Sequence, residues 1–257
     1  MVKKQDIVMA LEDLGLTKTD IVLVHSSLAS FDHVEGGADT IIDALVEVIG
    51  KDGGLLMPSF PAFIGGEYGL VEKNDIVFDV RISPSAMGKI TDVFWRRQGV
   101  VRSIHPTHPV AAWGKRGKDI IQGHDKCLCS CGQYSPFHKN CLLGGKILFI
   151  GVGHSCNTTL HTIEDINGAP TRSISIYYPK VVDYEGRIVT VPTRPHLPGL
   201  VRRYEIMDEI CKTEGIQKEL KLGNAVLKLV MADRLLEIGS DFIKKNPLFL
   251  IDMEKMR

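Results

Sequence analysis

Apolar residues return along this chain at two different spacings. Ile7, Val8, Leu11 and Leu14 recur at helical intervals and Gly15 follows them, which predicts an amphipathic helix closed by a glycine cap. Inside "DIVLVHSSL", Ile21 to Val24 form an unbroken apolar run, the pattern of a short strand buried on both faces. Ile41, Ile42, Leu45, Val48 and Ile49 resume the helical interval until "GKDGG" interrupts it, as glycines in a helical pattern do. "LLMPSF" predicts a second buried strand, stopped by Pro58. Residues 19–60 therefore read strand, loop, helix, strand, which indicates an α/β fold.

The pattern is looser beyond. Residues 61–84 form an irregular excursion rich in Gly, Pro and acids, and long excursions in compact domains are often functional. Met87 to Trp95 predicts a helix. "VVRSIHPTHPVAAWG" has apolar ends around a proline-pinned polar centre. "KILFIGVG" gives the clearest strand, Ile147 to Val152, and "SISIYYPKVVDYEGRIVTVP" predicts β structure with a turn at Glu185–Gly186. Two helices are expected at the end, Val201–Cys211 and Asn224–Leu236. There is no internal repeat or linker-like tract, so residues 1–257 read as a single α/β domain.

Bulk chemistry narrows the partners. Thirty-one Lys and Arg balance 31 Asp and Glu, for a net charge of zero, so overall charge points to neither nucleic acid nor membrane. No apolar run approaches the roughly 18 residues of a membrane span. The start, "MVKKQDIVMALEDLGL", lacks a signal-peptide core. The expected location is cytoplasmic, and the six cysteines are expected to be reduced thiols.

Four stretches carry candidate chemistry. Ser26 and Ser27 follow a buried strand, and Gly36 and Gly37 precede a helix; exposed N–H groups and close backbone approach there suit a pyrophosphate, although a capped helix gives the same pattern. "RSIHPTHP" holds His105 and His108 on a stiff segment. In "HDKCLCSCGQYSPFHKNC", Cys127, Cys129 and Cys131 alternate, with Cys141, His124 and His138 nearby; buried thiols are favoured over structural zinc, which prefers two to four residues between paired cysteines. In "NTTLHTIEDINGAPTR", His161 and Glu164 stand at i and i+3. On a helix these share a face, and a carboxylate on one imidazole nitrogen makes the other a competent base. A surface salt bridge is the bland alternative. There is no G-x-S-x-G elbow and no H-E-x-x-H.

Taken in order, "VHSSLASFDHVEGG", "GGLLMPSF", "FDVRISPSAMGKITDVF", "RSIHPTHPVAAWG", "GQYSPFHK" and "KILFIGVGHSCNTTLHTIED" resemble the aminoglycoside N3-acetyltransferase family, over about residues 5–240. The resemblance implies one α/β domain with a central mixed sheet flanked by helices, distinct from the GNAT fold. It implies an N-acyltransferase that moves an acetyl group from acetyl-CoA to a primary amine of an aminoglycoside or amino-sugar-like acceptor, with His161 as base and Glu164 as its partner. His25, Ser26, Ser27 and Leu28, with Val34, Glu35, Gly36 and Gly37, are the residues it implies for the cofactor. Arg102, Ser103 and His105 would line the donor side, with Ser135 and Pro136 near the pantetheine. It requires no metal and leaves a homo-oligomer open.

The chain departs from the family pattern in three places. Pro109 stands where Ser is usual, the C-x-C-x-C run is unusual, and the stretch after "MP", "SFPAFIGGEYGL", contains Glu67 as its single acid. Asp79 and then Glu67 are the candidates for holding an acceptor ammonium. Two other readings compete: a metal-dependent hydrolase using His105, His108, His161 and an acid, and a catalytically idle CoA-binding relative.

Overall fold

The computed structural model describes every residue except Ile64, Asn74 and Arg257. In chain order its elements are α1 (Lys4–Leu14), β1 (Ile21–Ser26), α2 (Gly37–Ile49), β2 (Gly54–Pro58), α3 (Gly66–Val71), β3 (Ile76–Asp79), α4 (Lys89–Phe94), β4 (Val101–Arg102), β5 (Val110–Trp113), α5 (Lys115–Ile120), α6 (Pro136–Leu142), β6 (Lys146–Ile150), α7 (Thr159–Ile166), β7 (Lys180–Val182), β8 (Ile188–Thr190), α8 (Ile206–Thr213), β9 (Gln217–Leu222), β10 (Ala225–Met231) and α9 (Ala232–Lys245).

Seven strands form the main sheet in the order β4-β5-β2-β1-β6-β10-β9. The centre, β2-β1-β6, is parallel, and every other pairing in this sheet is antiparallel. This is a mixed sheet with helices on both faces. The continuous apolar run of β1 follows from that covering. Val22 and Val24 face one layer with Ile7, Leu11, Ile41 and Leu45 of α1 and α2. Ile21 and Leu23 face the other with Ile120 of α5 and Phe137 of α6. A third apolar cluster packs Ile147 and Phe149 of β6 against Leu160 and Ile163 of α7 and Leu235 and Ile243 of α9. A small sheet, β3-β7-β8, stands apart.

Two expected helices change. Residues 225–231 form β10, not the start of a helix, and α9 begins only at Ala232. Ala225, Leu227 and Leu229 fit a two-residue period as well as a helical one, and the open edge of β6 supplies the hydrogen bonds that select the strand. Gly223, at φ +58, turns β9 into β10. The last-but-one helix spans Ile206–Thr213, because residues 201–205 are drawn aside by Arg203 N, which donates to Leu250 O. The β7–β8 turn lies where expected, with Gly186 N donating to Asp183 O.

The interior is unusually rich in imidazole. His25, His105, His108, His124, His154 and His196 are all buried, and burial holds each below its ordinary value, His25 at about 3 and His124 at about 4. Unfolded, these rings titrate near 6.5. Below that pH the unfolded chain binds more protons than the folded one. Each ring then costs stability at about 1.4 kcal/mol per pH unit. This contribution is complete above pH 6.5 and is lost as pH falls toward the folded values. Thermal melting should therefore drop steeply between about pH 6.5 and 5, well before carboxylate protonation accounts for it. A melting temperature unchanged over that window would mean the rings take up protons without unfolding.

Candidate active site

A cavity of about 400 Å³ opens at the carboxyl ends of the three parallel strands. Crevices of open α/β sheets form there because connections leave in opposite directions from adjacent strands. His25 and Ser26 end β1, Pro58 ends β2, and Val152 follows β6; all four line the cavity. His161 and Tyr204 form another part of its wall, and Phe60, Phe63 and Met87 give it an apolar side.

His161 stands on the first turn of α7. Its Nδ1 lies 3.0 Å from Oε2 of Glu164, so the helical spacing does bring the pair together. The imidazole is partly exposed, at 19%, whereas the Glu164 side chain is 1% exposed. Burial alone would raise that carboxyl. The hydrogen bond and charge of His161, the Arg202 guanidinium and the Tyr204 hydroxyl outweigh burial and hold it below its ordinary range. Tyr204 Oη donates to Glu164 Oε2 at 2.9 Å and lies 2.8 Å from His161 Nδ1. Burial first, and then the Glu164 charge, push the phenol well up, so it stays a donor. Arg202 Nε donates to Glu164 Oε2 at 3.5 Å.

A second histidine–carboxylate pair lies behind the first. His196 Nδ1 is 2.9 Å from Oε2 of Glu67, which also accepts from the His196 backbone N–H. The His196 ring centre is 4.1 Å from that of His161 and 5.4 Å from that of His108. Tyr204, Arg202 and His196 escape sequence reading because residues 161 and 204 carry no shared spacing signal. The nearest signal for His196 is its setting, "RPHLPG", with prolines on a histidine as in "HPTHP".

The other candidates divide. His25 and Ser26 share the cavity with His161, and His25 Nε2 and Ser26 Oγ are buried without partners. Ser27 and Leu28 begin a 3₁₀ turn beyond β1. Val34 and Glu35 are tied to Val2, and Gly36 and Gly37 open α2 with φ of +75 and +64. Arg102, Ser103 and His105 do not line the cavity. The Arg102 guanidinium lies between the rings of Phe78 and Trp95, 4.5 Å from each, and donates to Ser83 O and Ser59 O. Ser103 Oγ bonds His124 Nδ1, and His105 Nε2 donates to Cys127 O at 3.3 Å. Ser135 caps α6 by accepting from His138 N, with Pro136 as its first residue. These side chains hold the walls together from behind.

The acceptor candidates are already engaged. Asp79 receives Nε and a terminal nitrogen of Arg81. Glu67 faces His196 and His108, not the cavity. Among the described residues, the cavity lining contains no Asp or Glu. The trio His105, His108 and His161 is not assembled, since His105 is stacked on His124 at 4.6 Å. The alternating cysteines lie in turns and not on a strand. Burial pushes the thiols of Cys127, Cys129 and Cys131 up, and His124 is committed to Ser103 and Ser130.

Comparison with known proteins supplies the lineage. Residues 23–244 match the family model described as aminoglycoside 3-N-acetyltransferase. The aminoglycoside N(3)-acetyltransferase IV of Salmonella sp is 29% identical over 251 residues, covering 97% of this chain and 90% of that protein. A solved structure of AAC(3)-IVa, a mutant in complex with a gentamicin, is 28% identical with a TM-score of 0.83, covering 99% and 93% of the two chains. A solved binary complex of AAC-IIIb with CoASH shares the fold at a TM-score of 0.82 and 22% identity, covering 95% and 97%. With this match over most of its length, the chain belongs to the aminoglycoside 3-N-acetyltransferase family and is an enzyme of that kind.

Proposed function

We propose that the protein transfers an acetyl group from acetyl-CoA to a primary amine by direct attack, with His161 as general base. The observation that carries this reading is the pairing of a cavity-facing imidazole with a buried carboxylate, His161 with Glu164. CoASH bound to AAC-IIIb and a gentamicin bound to AAC(3)-IVa support the two substrate classes. Neutral His161 takes a proton from the acceptor nitrogen as that nitrogen bonds to the thioester carbonyl carbon. The C–S bond then breaks and the leaving thiolate is protonated. Glu164 holds the imidazole orientation and stabilises the imidazolium. Ser26 Oγ, buried and without a partner at the cavity wall, is a donor available to the carbonyl oxygen as charge develops on it. His161→Ala should lower turnover by about 10²–10⁴ and leave CoA affinity within a few-fold. Near-normal turnover across a range of pH removes His161 from the mechanism. Glu164→Gln should act more mildly and move the acid side of the pH–rate profile to lower pH, because a neutral amide stabilises an imidazolium less than a carboxylate does.

The donor is assigned to the β1 end and the start of α2. A Cβ on Gly36 would meet Thr40 Oγ1 at 2.4 Å, whereas one on Gly37 would meet nothing within 4 Å. Gly37 is the probe free of a steric clash: an added methyl enters open space beside the helix N-terminus, where a phosphate would approach, at the cost of about 1 kcal/mol for alanine at φ +64. Calorimetry should show weaker CoA binding by Gly37→Ala, with melting used to establish that the variant is folded. Unchanged affinity in a folded variant puts the diphosphate elsewhere.

The acceptor follows from the cavity wall. Each ammonium of a polycation loses water on binding and needs an acid or several carbonyls in return. With Asp79 and Glu67 engaged elsewhere and no carboxylate on the lining, an acceptor bearing one amine on a less charged body fits better than a highly cationic aminoglycoside. Steady-state kinetics on a panel of aminoglycosides and one of amino sugars and small monoamines should favour the second. A kcat/KM about tenfold higher for the aminoglycosides, worth about 1.4 kcal/mol, reverses this assignment.

A further inference from the structure

Glu67, His108 and His196 come from α3, the loop before β5 and the segment between β8 and α8, and their donor atoms converge to within 4.8 Å of one another. Hydrogen bonds account for one side of the cluster, where Glu67 Oε2 meets His196 Nδ1 at 2.9 Å and the His196 N–H, and His108 Nδ1 also meets Thr107 Oγ1 at 2.8 Å; the His108–Glu67 side is open. His108 Nδ1 and Glu67 Oε1 are 3.7 Å apart, too far for a hydrogen bond. Ligands at about 2.0–2.2 Å in a tetrahedral zinc site are separated by roughly 3.3–3.6 Å. The ring centres of His108 and His196 stand 5.4 Å apart at 66°. Two imidazoles directed at one ion from about 2.0–2.1 Å have centres about 5 Å apart.

Two buried atoms of this cluster, Glu67 Oε1 and His196 Nε2, have no hydrogen-bond partner. Such groups are costly to bury unless something binds them. Arg172 does not fill this role for Glu67. Its nearest approach to Oε1 is 3.9 Å, and its guanidinium is committed to both oxygens of Asp165.

We propose that Glu67, His108 and His196 bind one divalent ion of the zinc class. Two imidazoles and a carboxylate match the three-ligand sets of open zinc sites, and nitrogen donors argue against magnesium or calcium. His196 is neutral and keeps one ring proton, so an ion takes the nitrogen that does not carry it and no proton has to leave. The ion ties three remote segments together at the wall on which His161 stands, since His196 packs against that ring. The transfer chemistry proposed above does not use it. His196 also neighbours His161 and Glu164 closely enough for a second grouping, but Nδ1 of His161 and Oε2 of Glu164 already bond each other and Tyr204.

The test needs neither acetyl-CoA nor an acceptor, so it stands or falls separately from the proposed reaction. Protein stripped by chelation is titrated with Zn²⁺ by calorimetry and with Co²⁺ by visible absorption. One ion per chain is expected, with the intense d–d bands of four- or five-coordinate Co²⁺ and a raised Tm. Glu67→Gln and His108→Gln should each weaken binding by more than about 100-fold, beyond the roughly 10–100-fold typical of losing an outer partner. His161→Ala should bind within a few-fold of the parent. Absence of one-to-one binding, or a loss within about 100-fold in a folded ligand variant, overturns the site. So does loss of binding in His161→Ala, which would place the ion on the other pair. If one ligand variant does not fold, the other decides.

Discussion

The site depends on keeping Glu164 charged inside the protein. A carboxylate at 1% exposure survives ionised only where its charge is answered on several sides. Here His161, Tyr204 and Arg202 converge on one oxygen, Oε2, two of them from the segment ahead of α8, while Oε1 is buried without a partner. The position of that segment therefore matters to the base even though it lies outside the parallel core. The antiparallel bridge of Arg202 to Ile251 and the apolar packing of Tyr204 and Met207 against α7 and α9 fix it. Geometry of the base is thus set by tertiary packing as much as by the helical i, i+3 interval.

That division explains what the sequence could reveal. β1, α2, β2 and β6 were legible because both faces of the sheet are covered, so the strands read as short apolar runs and the helix as a periodic one. His161 and Glu164 were legible because three residues on a helix specify a distance. β10 was not, since "AVLKLVM" fits either period and the choice is made by hydrogen bonds to β6, a strand far earlier in the chain. Tyr204, Arg202 and His196 were not either. They reach the base through the fold of the C-terminal third, and no local pattern encodes that approach.

The donor-side residues show a related limit. Arg102, Ser103, His105 and Ser135 stand in motifs that point toward function, yet each is bonded within the protein. Arg102, with its guanidinium between two aromatic rings and bonded to two carbonyls, anchors β4 to the loops after β2 and β3. Ser135 begins a helix. A motif can therefore mark the neighbourhood of a site by holding its frame. Among the donor-side residues, His25 and Ser26 combine an unpartnered buried polar atom with a place on the cavity wall.

The same distinction bears on the acids. A carboxylate can attract a cationic acceptor only if its charge is not already neutralised within the protein. Asp79 is neutralised by Arg81, which holds its carboxyl below the ordinary range through a two-pronged hydrogen bond. Glu164 answers to the base itself. Glu67 faces two imidazoles that burial keeps neutral and has Arg172 at 3.9 Å, on the side of the histidine cluster and not of the cavity. The excursion that supplies Glu67 thus adds negative charge behind the base while giving the cavity Phe60 and Phe63. Apolar surface at the acceptor side and a carboxylate turned to the histidines behind it are two consequences of one placement of that stretch.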